Sequence, residues 1–254
     1  MDVKQAEVNP LDVKTAGRTV EVFEAFAKSQ QPLSLTEISR ALEAPLSSCL
    51  YLVRSLEHRG YLYTVGAQRQ IYPTQKILDV GKAIAAGESW IARLGPALAR
   101  LRDATMETVI LGKRQANQIV YLSVMEGPQT IRYTAHIGDV KPMHASAIGK
   151  AVLSALEPGE LKKVIAKLSL DALTASTLTD RNALLEDLKQ ASTRGYAKTR
   201  GEGVVDVMAI AKAFLGDDQY GIGIAGPLYR MAERVDSHVE HLLEAYEEIQ
   251  KLRT

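Results

Sequence analysis

The chain is 254 residues long, with 31 Lys plus Arg against 30 Asp plus Glu and a formal net charge of +1, so no bulk charge draws it to nucleic acid or membrane. At roughly 100–200 residues per domain the length accommodates one large domain or two smaller ones, and 46% apolar with 24% charged residues is folded-globular composition rather than disordered or fibrous. The longest apolar runs, such as Val204–Ile210 interrupted by Asp206, fall far short of the ~18 residues of a membrane span; Met1–Leu11 lacks the basic start and apolar core of a secretory leader; and the single cysteine, Cys49, permits no internal disulfide and no thiolate metal site, which fits a reducing cytoplasm.

Residues 1–14 are polar and aperiodic, with Asn9-Pro10, and read as a loose arm. From Thr15 the pattern is helical, with Val20, Phe23 and Ala27 on one stripe and Val22 and Phe26 beside it, until Pro32. Ser34 followed three residues later by Glu37 has the spacing of a capping box and predicts a short second helix, interrupted at Glu43-Ala44-Pro45. A third helix spans Leu46–Glu57, with Leu50, Val53 and Leu56 inward and Gly60 at its end. Tyr61–Thr64 and Gln70–Pro73 around Gly66–Arg69 predict a hairpin, closing a unit at 15–75. Apolar residues at helical spacing across 76–104, weakened by Gly81, Gly87 and Gly95-Pro96, predict one or two connecting helices.

Within 105–254, strands are expected at Thr108–Leu111, Ile119–Val124, Thr130–Ala135, Val204–Phe214 and Tyr220–Ala225, the last pair joined by a turn at Gly216-Asp217-Asp218. Helices are expected at Ser146–Leu156, Pro158–Leu168, Asp180–Arg194 and Tyr229–Leu252. The fold class is α+β: three helices and a hairpin, a helical connection, then an antiparallel sheet flanked by helices.

Two short helices separated by a tight turn and followed by a hairpin form a helix-turn-helix with a β wing, whose second helix fits a major groove about 12 Å wide. Ser47, Ser48, Tyr51, Arg54 and Ser55 supply hydroxyls and a guanidinium for base edges and phosphates. Ser34 and Thr36 offer hydroxyls and backbone N–H groups to a phosphate, Gln68 and Arg69 sit at the hairpin tip, and Arg18 can clamp a phosphate from the first helix. Taken singly, each has a blander use: Ser47 and Ser48 as caps, Arg54 paired with Glu57 or Glu43, Tyr51 in packing. Residues 1–75 hold eight basic and eight acidic side chains, so nonspecific attraction to phosphate should be modest and two copies should be needed for firm binding.

The run Ile38–Leu62, ISRALEAPLSSCLYLVRSLEHRGYL, resembles the DNA-binding half of IclR-family transcription regulators. His144–Ala151, HASAIGKA, looks like the family's central helix entry, and Gly195-Tyr196, Glu202-Gly203-Val204 and Gly226-Pro227 follow in the family's order. The resemblance runs from Thr15 to the C-terminus. It implies a winged helix-turn-helix that binds double-stranded operator DNA, a linker helix, a GAF-like domain for a small-molecule effector, and a homodimer or dimer of dimers. Two positions depart from the family's habit: Tyr51 stands where a basic residue is usual, and Lys212 where proline is.

Chemistry by the second half has little support. His58, His136, His144, His238 and His241 show no metal-ligand spacing, His238 and His241 reading as a solvent or dimer face. Cys49 lies in the DNA-reading helix, and Ser146 has no orienting carboxylate, so neither catalysis nor a metal or cofactor is expected. Gly201-Glu202-Gly203 and Gly221-Ile222-Gly223 are too short for dinucleotide binding. By resemblance the effector pocket takes Thr130 and Tyr133, Ala147 and Ile148, Thr199 or Arg200, Met208, and Gly223 and Ala225. Gly223 and Ala225 would leave space without a donor, which implies an aromatic or similar organic acid, its carboxylate on the Ala147-Ile148 amides with Lys198 or Arg200 nearby. The alternatives are a small-molecule enzyme with an appended DNA-binding domain, which ligand turnover would reveal, and a protein-binding adaptor, which failure of a gel shift would favour.

Overall fold

The computed structural model describes residues 13–87, 90–214 and 219–253, and it divides after Glu88 into two compact units. Of the expected arm at 1–14, residues 1–12 lie outside the described residues, as does the turn at Gly216-Asp217-Asp218, while Val13 and Lys14 form the cap and first residue of the first helix. The expected connection at 76–104 is shared between the units.

The first unit holds α1 (Lys14–Ser29), α2 (Leu35–Ala41), α3 (Leu46–His58), the antiparallel pair β1 (Leu62–Val65) and β2 (Gln70–Pro73), and α4 (Lys76–Ala86). Ser34 starts α2 as anticipated: its hydroxyl accepts from Glu37 N–H, and the Glu37 carboxylate accepts from Ser34 N–H at 2.8 Å. A β-bridge from Leu33 to Ile71 ties the chain before α2 to the hairpin, an element without a period of its own to announce it. Two inner faces differ from expectation. In α1 the buried residues are Val22 and Phe26, while Val20 is 58% exposed; in α3 Cys49 joins Val53 and Leu56, leaving Leu50 half-buried. Val22, Phe26, Cys49, Val53 and Leu56 pack with Ile38, Leu42, Leu62 and Ile71 into one core.

The second unit runs α5 (Trp90–Thr105), β3 (Thr108–Gln115), β4 (Gln118–Met125), β5 (Val140–Pro142), α6 (Ala147–Ser154), α7 (Pro158–Lys167), α8 (Arg181–Arg194), β6 (Ala197–Arg200), β7 (Val207–Phe214), β8 (Tyr220–Pro227), α9 (Leu228–Glu233) and α10 (Val235–Arg253). Its sheet is antiparallel throughout, in the order β5-β4-β3-β8-β7-β6. One face packs on α6, α7 and α8 through Ile110, Ile119, Ile148 and Leu184; the other packs on α5, α9 and α10 through Leu98, Leu111, Ile222 and Leu242. Every residue of β8 is therefore buried, as a strand covered on both faces must be.

Residues 130–135 form no strand: the outer edge of β4 is taken by β5, and the segment is fixed instead by Thr108 Oγ1 donating to the Tyr133 carbonyl at 2.5 Å. The run from Val204 becomes a strand only at Val207, and the unforeseen β6 completes the far edge. The final helix is two, broken at Arg234 (φ −120°, ψ 17°).

Candidate functional site

α3 turns Ser47, Tyr51, Arg54 and Ser55 outward, with Tyr51 73% exposed and Ser48 half-buried. Neither serine caps the helix, because Pro45 occupies that position without a side-chain bond. Nor does Glu57 take Arg54; its carboxylate accepts from Thr64 Oγ1 at 2.7 Å, tying the wing to α3. The α2–α3 turn is held by Ser39 Oγ donating to the Ala44 carbonyl at 2.7 Å. Thr36, Gln68 and Arg69 are exposed and Arg18 half-buried, whereas the Ser34 hydroxyl is engaged in its own capping box. Arg69 has φ 52°, at the tip of the hairpin. The first unit therefore presents one helix face and one turn built mainly from hydroxyls and guanidinium groups.

In the second unit a cavity of about 280 Å³ lies between the sheet and the start of α6, near the small end of small-molecule pockets, ~300–1,000 Å³. Of the nine positions expected there, it brings together Tyr133, Ala147, Thr199 and Ala225. The other five lie elsewhere, for local reasons. Met208 packs in the opposite core because successive strand residues alternate faces, so its neighbours Val207 and Ala209 line the cavity. The same alternation on β6 turns Thr199 inward and Lys198 and Arg200 out to solvent. Thr130 is exposed. Ile148 presses onto the sheet, where a Cβ on Gly221 would stand 2.9 Å and one on Gly223 3.1 Å from its side chain. The space expected at Gly223 is thus filled by α6.

The cavity's cation is Lys141, on the short strand that sequence periodicity did not reveal. Its ammonium is 3.2 Å from Asp139 and lies over the Tyr121 ring, 5.6 Å from the centroid. Burial works to raise the Asp139 carboxyl, but Lys141 and the His136 N–H outweigh it and hold the group below the usual carboxylate range. Burial pushes the Tyr121 hydroxyl far above its ordinary value, with Tyr133 and Asp139 adding to the rise, so it remains protonated. Across from these, Ser146 caps α6, its hydroxyl accepting from Gly149 N–H at 3.2 Å and donating to the Pro142 carbonyl at 2.8 Å. The Ala147 amide lies in the first turn, where a helix has no internal acceptor for it. A cation, a helix-end amide and two phenols, with the Ser146 and Thr199 side chains set among apolar ones, can hold a small anion with a flat apolar body.

His144 lies beside this cavity without lining it; Nε2 faces the Asp171 carbonyl at 3.0 Å. His238, expected on an exposed face, is 2% exposed inside the other core.

A family model described as "Bacterial transcriptional regulator IclR C-terminal" matches residues 87–251, and one described as "IclR helix-turn-helix domain" matches residues 15–66. The HTH-type transcriptional regulator BhcR of Paracoccus denitrificans is 30% identical over 241 residues, 93% of this chain and 86% of that protein. The HTH-type transcriptional repressor AllR of Escherichia coli is 31% identical over 219 residues, 85% of this chain and 81% of that one. In structure, the Thermotoga maritima IclR superposes with a TM-score of 0.77 at 23% identity, covering 95% of this chain and 99% of that one. An IclR homolog from Microbacterium hydrocarbonoxydans, complexed with 4-hydroxybenzoate, superposes with a TM-score of 0.72 at 22% identity, covering 94% and 98%.

Proposed function

The chain belongs to the IclR family of bacterial transcriptional regulators, and from that premise we propose that it controls a catabolic operon in response to a small aromatic acid. The observation that carries the ligand class is the cavity's composition: Lys141 and the Ala147 amide at the start of α6 for a carboxylate, Tyr121 and Tyr133 for a ring. The 4-hydroxybenzoate held by the Microbacterium homolog is a molecule of that kind. In the first unit α3 enters the major groove of double-stranded operator DNA and the wing tip reaches the backbone, and a homodimer or dimer of dimers places two such helices on half-sites about 34–36 Å apart. Ligand then acts by binding the DNA-competent and DNA-incompetent arrangements with different affinity; equal affinity would shift nothing.

Thermal unfolding against a panel of acids tests the ligand class. Stabilisation that grows with the concentration of 4-hydroxybenzoate or a related aromatic acid is the expected result, about 2.7 kcal/mol at a hundred times Kd. No stabilisation across aromatic acids, or stabilisation by compact aliphatic acids alone, would overturn it. A gel shift on the DNA upstream of the protein's own gene, with and without the stabilising acid, then tests regulation.

A further inference from the structure

Three side chains distant in the sequence meet inside the second unit without lining the cavity. Lys150, in α6, is wholly buried, with its Nζ 2.8 Å from Asp187 Oδ2 on α8 and 2.5 Å from Glu202 Oε2 in the turn after β6. The contact to Glu202 is a close charge pair. Each end of the arrangement continues into a cavity wall. The Lys150 N–H donates to the Ser146 carbonyl at 2.9 Å, at the helix start that forms one wall. Glu202 is followed by Gly203 and Val204, which form another, and its carbonyl accepts from Thr177 Oγ1 at 2.7 Å, in the loop that carries cavity-lining Leu173. Thr174 Oγ1 donates to the Gly201 carbonyl at 2.6 Å, adding a second tie between that loop and the turn.

Two carboxylates face one ammonium. Asp187 keeps 23% of its side-chain surface in water and Glu202 only 11%. Burial pushes the Glu202 carboxyl above the ordinary glutamate value, and although Lys150 opposes the rise, Asp187 adds to it. A buried ion cluster of this kind is a weak source of stability, since apolar side chains of similar volume often serve as well. What it supplies is a fixed separation between the elements that carry it.

We propose that Lys150, Asp187 and Glu202 are positioning residues for the cavity: they hold the 201–206 turn against α6 and so set the distance between two walls that a ligand must bridge. This rests on the cavity being the effector site. The test compares wild type with Glu202→Gln, which keeps the side chain's shape, and with Ile249→Ala, which weakens the opposite core where Ile249 is fully buried. Hydrogen exchange of the ligand-free proteins is followed at amides 171–177 and 201–206, and 4-hydroxybenzoate affinity is measured by calorimetry. In Glu202→Gln both segments should exchange about tenfold faster and Kd should rise about tenfold, while Ile249→Ala lowers Tm and changes neither. Unchanged exchange, or faster exchange with unchanged affinity, would overturn the positioning role. If 4-hydroxybenzoate does not bind wild type, the aromatic-acid reading fails separately and the exchange comparison alone decides this one.

Discussion

Glu107 is 1% exposed and is held by the Arg230 guanidinium through both carboxylate oxygens, the Arg230 Nη2 to Oε2 bond measuring 2.9 Å. Removing the cation would leave a buried carboxylate with no counter-charge, so Arg230→Met should destabilise the protein by about 3–5 kcal/mol in urea unfolding. Near this pair, His238 has both ring nitrogens buried without a hydrogen-bond partner among the described residues. Burial holds its imidazole below the usual 6.5, opposed by Glu107 and reinforced by Arg234, His241 and Arg230. A depressed histidine contributes its full stability above the unfolded value and loses it as pH falls, because the unfolded chain takes up the proton first. Wild type should therefore lose stability relative to His238→Gln as pH is lowered through 6.5 in thermal unfolding; parallel curves would refute it. At the cavity, Lys141→Met should weaken binding of an aromatic carboxylate by about tenfold to a hundredfold, the worth of a hydrogen bond to a charged group. Arg200→Ala should leave that affinity unchanged, since Arg200 faces solvent.

At the scale of elements, α6 is packed closely enough that a single added carbon would be felt. A Cβ on Gly149 would stand 2.4 Å from the Met143 carbonyl oxygen, which is backbone and cannot step aside. Gly149→Ala should cost about 3 kcal/mol or more and be visible as a lowered Tm. α3 carries the opposite kind of prediction, about function with the fold intact. Arg54→Ala or Arg69→Ala should reduce operator affinity far more than Lys163→Ala, an exposed change in α7; equal effects in a gel shift would remove α3 and the wing from DNA recognition. These elements also show what sequence could and could not reveal. The capping box at Ser34, the hairpin and the start of α6 were legible because each is a local pattern spanning a few residues. The face on which Met208 lies was not, because one residue of register exchanges core for cavity. β5 is too short to carry a period, and with it Lys141 escaped notice. Lys150, Asp187 and Glu202 meet only through the tertiary fold, so no window along the chain contains the cluster.

For the whole molecule, the near-neutral charge of +1 and the eight-to-eight balance within residues 1–75 constrain how DNA is held. Affinity built on a few placed contacts should show a shallow dependence on salt for nonspecific duplex, because each neutralised phosphate contributes a slope of about −0.9 in log K against log salt. Titrations of a random duplex between low and moderate salt measure it directly, and a slope as steep as that of a strongly basic DNA-binding protein would contradict the reading. The division after Glu88 adds that each unit has its own core and can open on its own. Here the solitary thiol of Cys49, fully buried on the inner side of α3, becomes an internal clock. The only sulfhydryl in 254 residues sits in the DNA-reading unit, so the rate at which a thiol reagent consumes it times the opening of that unit alone, unaffected by events confined to the other. Operator DNA should slow that clock, and a ligand should move it only insofar as its binding is felt in the other unit, giving a readout of communication that needs no label and no engineered residue.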